Sequence, residues 1–216
     1  MSFGLSRGKT LDPGSFGIEK EQLPAFDAGR FDPRTFFEHA DRPFELEIGS
    51  GKGTFLVQVA AVATDRNFLG IEWAGEFYRY AADRIRRRQL DNVRVLHADA
   101  TEFIRYWCPD AIVDVLHLYF SDPWPKKRHH KRRVIQDASL VEFHRVLAPG
   151  GELRIVTDHA DLWAWNEEHV ARHGDLFERR PYEPLNAEDG ELVGTNYERK
   201  FIAEGRAFNG MTLVKR

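Results

Sequence analysis

Residues 44–54, FELEIGSGKGT, decide the fold. Phe44, Leu46 and Ile48 alternate with Glu45 and Glu47, the period-two pattern of a strand. Gly49-Ser50-Gly51-Lys52-Gly53 follows as a tight loop, and from Thr54 to about Ala63 apolar residues fall at helical spacing. The same alternation continues downstream. Phe68–Glu72 precedes a helix at Gly75–Gln89, Val93–Asp99 one at Ala100–Trp107, Ala111–Phe120 one at Val134–Leu147, and Glu152–Thr157 one at Ala160–Arg172. Strands alternating with helices of this length specify βαβ units, right-handed crossovers and a parallel sheet covered on both faces. Beyond Asp175 the rhythm changes: Leu176–Tyr182 is strand-like, 183–194 a polar loop, 195–204 helical and 210–215 a last strand. The chain therefore reads as α/β, a single doubly wound domain. Residues 1–33 are rich in Gly, Pro and polar residues and lack a clear period, and Arg34–Ala40 reads as a short helix ending near Pro43. Residues 1–42 are expected to be an irregular lead-in, partly disordered or folded over the surface, to a domain of 43–216.

Composition excludes several classes. A chain of 216 residues is long enough to bury a real core in one domain. It has no run of about eighteen apolar residues and no apolar h-region near the start, so neither a membrane span nor a secretory signal is expected. A single cysteine, Cys108, excludes an internal disulfide and fits a reducing compartment, so cytoplasmic residence is expected. The net charge of −3 rules out a generic polyanion binder. Positive charge is segregated instead into Arg84–Arg88, RIRRR, and Lys126–Arg133, KKRHHKRR. The first is read as a solvated helix face.

The loop at 47–54 separates three ligand classes by spacing. A P-loop needs GxxxxGK[ST], which would put Leu46 at its first glycine and Gly53 at its metal-binding hydroxyl. A nicotinamide site needs GxGxxG, which would put Thr54 at the third glycine. The pattern E/DxGxGxG, the first motif of S-adenosylmethionine-dependent methyltransferases, is met in full by Glu47, Gly49, Gly51 and Gly53. Glycines permit positive φ and close approach of backbone to ligand, and Glu47 can face the cofactor's cationic amino-acid moiety. Glu72 ends the second strand, where an acid accepts from ribose hydroxyls, and Asp99 ends the third, where it can accept from the adenine amino group. Any one of these acids alone is a solvated loop residue or a helix cap. Three at consecutive strand ends point to an adenosine-type cofactor.

The fourth strand runs to the same edge in Leu116–Arg133, LHLYFSDPWPKKRHHKRR. Prolines on both sides of Trp124 restrict the backbone and present Asp122 and Trp124 stiffly. This resembles the acid-or-amide–Pro–Pro–aromatic loop of enzymes that methylate nitrogen, in which a polar side chain contacts the base and a ring stacks on it. Six Lys or Arg and two His within 126–133 adjoin that turn and are expected to bind phosphate. His129-His130 does not make a metal pair, because adjacent side chains diverge and no third ligand stands at suitable spacing.

Together, FELEIGSGKG, GIEWAGEFYRYAADRI, HADA, YFSDPWPKKRHHKRR, TDHADLWAW and GTNYERKFIAEG resemble the bacterial tRNA (guanine-N7-)-methyltransferase family over about residues 43–216. The resemblance implies a Rossmann-like domain with a mostly parallel seven-stranded sheet and an antiparallel last strand. It implies methyl transfer from S-adenosylmethionine to N7 of a guanosine in the tRNA variable loop. No metal is expected, and the chain is expected to act as a monomer or homodimer. By motif, Glu47, Glu72, Asp99 and Asp122 are implied to contact the cofactor, with Asp122 catalytic. Lys126, Asp158 and Thr195-Asn196-Tyr197-Glu198 are implied to contact the substrate nucleotide, and Arg128, His129, His130, Lys131, Arg132 and Arg133 the RNA. Ser121 stands where the family usually has proline. A methyltransferase with another RNA or a protein amide as substrate would share every cofactor residue, and a non-catalytic RNA-binding protein on the same fold is the third possibility.

Overall fold

The computed structural model describes residues 10–186, 192–193 and 207–216. Its centre is a sheet of eight strands: β1 (Gly17–Glu19), β2 (Phe44–Ile48), β3 (Asn67–Glu72), β4 (Val93–His97), β5 (Val113–Tyr119), β6 (Leu147–Thr157), β7 (Phe177–Pro181) and β10 (Asn209–Lys215). A separate two-stranded ribbon pairs β8 (Leu185–Asn186) with β9 (Leu192–Val193). The order β1-β4-β3-β2-β5-β6-β10-β7 is parallel throughout except for β10, which runs antiparallel to both neighbours. Helices α1 (Thr54–Val62), α2 (Gly75–Arg88), α3 (Ala100–Tyr106), α4 (Asp137–Val146) and α5 (Ala160–Arg172) make the crossovers. This is the doubly wound α/β fold that the periodicity predicts.

Two packed layers follow from the pleat. Phe44, Leu46 and Ile48 on β2 point into one, with Leu69, Leu116, Leu118, Phe103 and Phe143. Phe55, Leu56, Phe68, Tyr78 and Ile85 fill the other, beneath α1 and α2. From β2 the chain winds outward through β3 and β4, then returns to the opposite side of β2 with β5 and β6. The direction of winding thus reverses between β2 and β5. There the crevice beyond the strand ends opens, bordered by the glycine loop and by the turn after Tyr119.

The strand count is eight, not the seven expected. The additional strand is β1, whose Ile18 pairs with Leu96 in parallel and is buried. Three residues are too few to give a periodic signal, and the pairing is secured by tertiary contacts. Glu19 lies 2.8 Å from Nδ1 of His97, and the His97 ring stacks on Tyr78 at 4.8 Å. The short helix expected at Arg34–Ala40 is a 3₁₀ turn at Pro33–Phe36, capped by Asp32, which accepts from the Arg34 amide at 3.0 Å. β4 stops at His97, so Asp99 is the cap of α3. Asp137 replaces Val134 as the start of α4, because Lys127–Arg132 takes up a 3₁₀ turn first. Among the described residues no helix is long and apolar enough to cross a membrane.

Candidate active site

The glycine loop turns directly off β2. Gly49 and Ser50 donate their amides to the Ile71 carbonyl at 2.9 and 3.2 Å, and Gly53 donates to Ser50 at 2.8 Å. Gly49, Gly51 and Gly53 sit at φ +76°, +52° and +64°, the left-handed region that side chains disfavour. Their roles differ. A Cβ at Gly49 or Gly51 would meet nothing within 4 Å, so these two leave an open floor. A Cβ at Gly53 would come within 3.0 Å of the Ala81 Cβ, so this glycine lets α1 pack on α2. Gly53→Ala is expected to destabilise the protein by about 1–2 kcal/mol from the left-handed backbone alone. An unchanged urea midpoint would contradict this account.

Above that floor lies a cavity of about 1590 Å³, and Glu47, Gly49, Gly51, Glu72, Asp99 and Asp122 all line it. Six of the seven expected cofactor positions are therefore brought together, and Gly53 supports them from beneath. Glu47 is buried at the end of β2. Glu72 Oε2 accepts from the Gly51 amide at 2.7 Å and Oε1 from the Ala74 amide at 2.8 Å, which fixes the carboxylate across the loop. Burial pushes the Glu72 carboxyl above its ordinary value, and the nearby Asp122 charge adds to this against those two amides. Asp99 Oδ1 accepts from the Thr101 and Glu102 amides at 2.9 and 3.0 Å and from the Thr101 hydroxyl at 2.6 Å. It is thus both a helix cap and a cavity wall.

The cavity tests the expected cofactor on its own terms. Ser50 Oγ is buried with no hydrogen-bond partner among the described residues and stands in the cavity wall. With the open floor and four surrounding carboxylates, the site offers acceptors to a cationic ammonium, ribose hydroxyls and an adenine amine. Those four carboxylates would repel a pyrophosphate. The residues present fit S-adenosylmethionine.

The turn after β5 carries the next element. Phe120 and Trp124 hold φ +51° and +42°, unfavourable for side chains of this size, and they bracket Ser121-Asp122-Pro123. Asp122 is exposed at the cavity mouth. Trp124 is half-buried and also lines the cavity. The Arg132 guanidinium lies 4.8 Å above its ring and His129 meets it edge-on at 5.8 Å. The ring ties the turn to the basic segment. Lys126, Lys127, Arg128, Lys131 and Arg132 are exposed as phosphate contacts require, and His129 is half-buried.

Two members of the tract depart from that expectation. His130 turns inward against Trp165 at 5.3 Å, with Nε2 buried. Arg133 is only 2% exposed, so no phosphate can reach its guanidinium from solvent. Charge density along a sequence does not report which side chains tertiary packing turns inward. Asp158 is exposed just beyond β6, the strand beside β5, so it and Asp122 leave the same sheet edge from neighbouring strands. Thr195, Asn196, Tyr197 and Glu198 lie outside the described residues.

A buried polar chain on the α1 face also escaped sequence reasoning. His117 Nε2 lies 2.7 Å from Glu45 Oε2, and its Nδ1 lies 2.9 Å from the Tyr119 hydroxyl. Tyr119 lines the cavity. Burial raises the Glu45 carboxyl, but the His117 hydrogen bond and the charges of His117 and Arg66 outweigh it and hold the group low. The signal was present: Glu45, His117 and Tyr119 occupy the inward period-two positions of β2 and β5 opposite the apolar ones. Among the described residues, no group of three or more His, Cys, Asp or Glu is placed to hold a metal ion.

Comparison with known proteins places this geometry in a family. A family model described as "Putative methyltransferase" matches residues 41–210. A tRNA (guanine-N(7)-)-methyltransferase of Nitrobacter hamburgensis is 36% identical over 210 residues, covering 94% of this chain and 82% of that protein. The protein of the same name from Streptococcus mutans is 36% identical over 77% of this chain and 78% of its own length. Among solved structures, the aminoglycoside resistance methyltransferase NpmB1 superposes with a TM-score of 0.57 at 18% identity, over 81% of this chain and 88% of its own. An rRNA methylase from Streptococcus thermophilus gives a TM-score of 0.52 at 14% identity, over 81% and 87%. These two likenesses concern the fold alone. Family model and near-full-length identity agree, and the chain belongs to the tRNA (guanine-N(7)-)-methyltransferase family.

Proposed function

We propose that this protein transfers a methyl group from S-adenosylmethionine to N7 of a guanosine in the tRNA variable loop. The observation that carries this is the placement of Asp122, exposed on a stiff turn between an acid-lined, glycine-floored cavity and five exposed cations. When bound, the cofactor supplies an electrophilic methyl on a sulfonium. Glu47 faces its ammonium, Glu72 accepts from the ribose hydroxyls, Asp99 accepts from the adenine amine, and Gly49 and Gly51 give it room, with Gly53 beneath.

Guanine N7 already presents a lone pair on the major-groove edge of the base. No proton has to be removed, so the protein's main work is to align N7 with the methyl for in-line displacement. Asp122 orients the guanine through its N1 and N2 hydrogens and offsets the positive charge that develops on the ring. Lys126, Asp158 and the segment Thr195–Glu198 hold the nucleotide, and Arg128, His129, Lys131 and Arg132 hold the surrounding RNA. Extracting the base from its tertiary contacts costs roughly a few kcal/mol, which those contacts offset. The catalytic domain is 43–216, with 1–42 as its lead-in, and it acts in the cytoplasm as a monomer or homodimer.

The test is transfer of labelled methyl to unmodified tRNA followed by nucleoside analysis. Label in 7-methylguanosine that disappears when the variable-loop guanosine is replaced is the expected result. Label in another nucleoside or in protein would refute the substrate, and failure to bind S-adenosylmethionine in a calorimeter would refute the enzyme.

A further inference from the structure

Arg133 ends the basic tract, yet its side chain is fully buried. Its Nε donates to the Pro123 carbonyl at 2.9 Å, its Nη2 pairs with Asp161, and its guanidinium lies 5.0 Å from the centre of the Trp165 ring. Nη1 is buried with no hydrogen-bond partner among the described residues, and Asp161 is the carboxylate that pairs with the guanidinium. Taking an arginine out of water with one donor unsatisfied is costly, so its retention points to a role beyond stability. Both ends of the bridge point to that role. Pro123 follows Asp122 within the turn that Phe120 and Trp124 hold in left-handed backbone. Asp161 lies in the first turn of α5, three residues after Asp158. One guanidinium thus joins the turn that carries Asp122 to the first turn of α5, just after Asp158.

We propose that Arg133 is a positioning residue for methyl transfer, which clamps the Asp122 turn to the start of α5 and so fixes Asp122 relative to Asp158. This rests on Asp122 and Asp158 facing the substrate guanosine. A turn with two left-handed non-glycine residues relaxes unless its surroundings hold it. The planar fork of arginine reaches a carbonyl and a carboxylate at once, which an ammonium does not. Trp165 is fixed in turn, since its Nε1 donates to the Ile135 carbonyl at 2.7 Å. The clamp therefore stands on a rigid base. It acts on the alignment of the reacting groups, not on RNA affinity, and this separates it from the exposed cations beside it.

The experiment compares Arg133→Lys and Asp161→Asn with the wild type for kcat, KM for tRNA, S-adenosylmethionine affinity and the salt dependence of tRNA binding. Displacement of a reacting group by about 1 Å can cost on the order of 100-fold, so Arg133→Lys is expected to lower kcat by about 10- to 100-fold. Asp161→Asn should lower it less, with both affinities within about twofold and the salt slope unchanged. A phosphate contact behaves oppositely: its loss weakens binding and reduces the slope by about one, with kcat preserved. That pattern, or unchanged kcat in both variants, would overturn the clamp. If Arg133→Lys fails to fold, Asp161→Asn decides, because its carboxylate is 60% exposed. Absence of tRNA methylation by the wild type would count against the proposed function instead.

Discussion

Replacing Asp122 by asparagine is expected to lower kcat for methylation of tRNA by about 10²–10³-fold, the usual loss when one preorganised electrostatic partner of a developing charge is removed. Amide and carboxylate have the same shape, so the turn between Phe120 and Trp124 should keep its form. The cofactor retains Glu47, Glu72 and Asp99, and its affinity should change by no more than a few-fold. What is lost is the negative charge beside a purine ring that becomes cationic as N7 is alkylated. The substitution also removes the neighbour that helps raise the Glu72 carboxyl, so the cofactor site should become no weaker an acceptor. Single-turnover transfer of labelled methyl, with S-adenosylmethionine affinity measured separately, gives the answer. Full turnover at unchanged affinity would end the charge-stabilising role.

The second large effect is in salt. With Arg133 buried, Lys126, Lys127, Arg128, Lys131 and Arg132 are the exposed cations of the tract. Five phosphate contacts give a slope of log affinity against log salt near about −4, between the duplex and single-strand limits. Fourfold more salt should therefore weaken tRNA binding by roughly 250-fold. Neutralising Lys127 and Lys131 together should flatten the slope by about two without changing which nucleoside is methylated. A slope near zero in the wild type would remove the tract from the RNA interface.

The α/β repeat was legible because each strand–helix unit carries its own period, and residues 44–54 announce the glycine loop by spacing alone. That Glu47, Glu72, Asp99 and Asp122 would line one cavity was legible because strand ends converge on one edge in this fold. What escaped the sequence depends on contacts made far along the chain. β1 exists through Ile18 against Leu96 and Glu19 against His97, neither of which three residues can foretell. Arg133 and Arg132 are chemically identical neighbours, yet one covers Trp124 at the surface and the other is sunk against Trp165. Only the packing of α5 decides between them. Gly53 reads as a ligand-facing glycine by motif, and the contact a Cβ there would make with Ala81 adds a helix-packing reason that spacing does not carry.

The short strand β1 has a consequence for how copies of the molecule behave toward one another. Without it, β4 would end the sheet with a row of unpaired amides and carbonyls, backed by the apolar residues Val93, Val95 and Leu96. An uncovered border of that kind is a template on which another chain can add a strand. A version begun at residue 43 would keep Glu47, Glu72, Asp99 and Asp122 and still expose that template. β1 thus protects colloidal stability at the β4 border of the sheet, and a chain that keeps it is the form to concentrate.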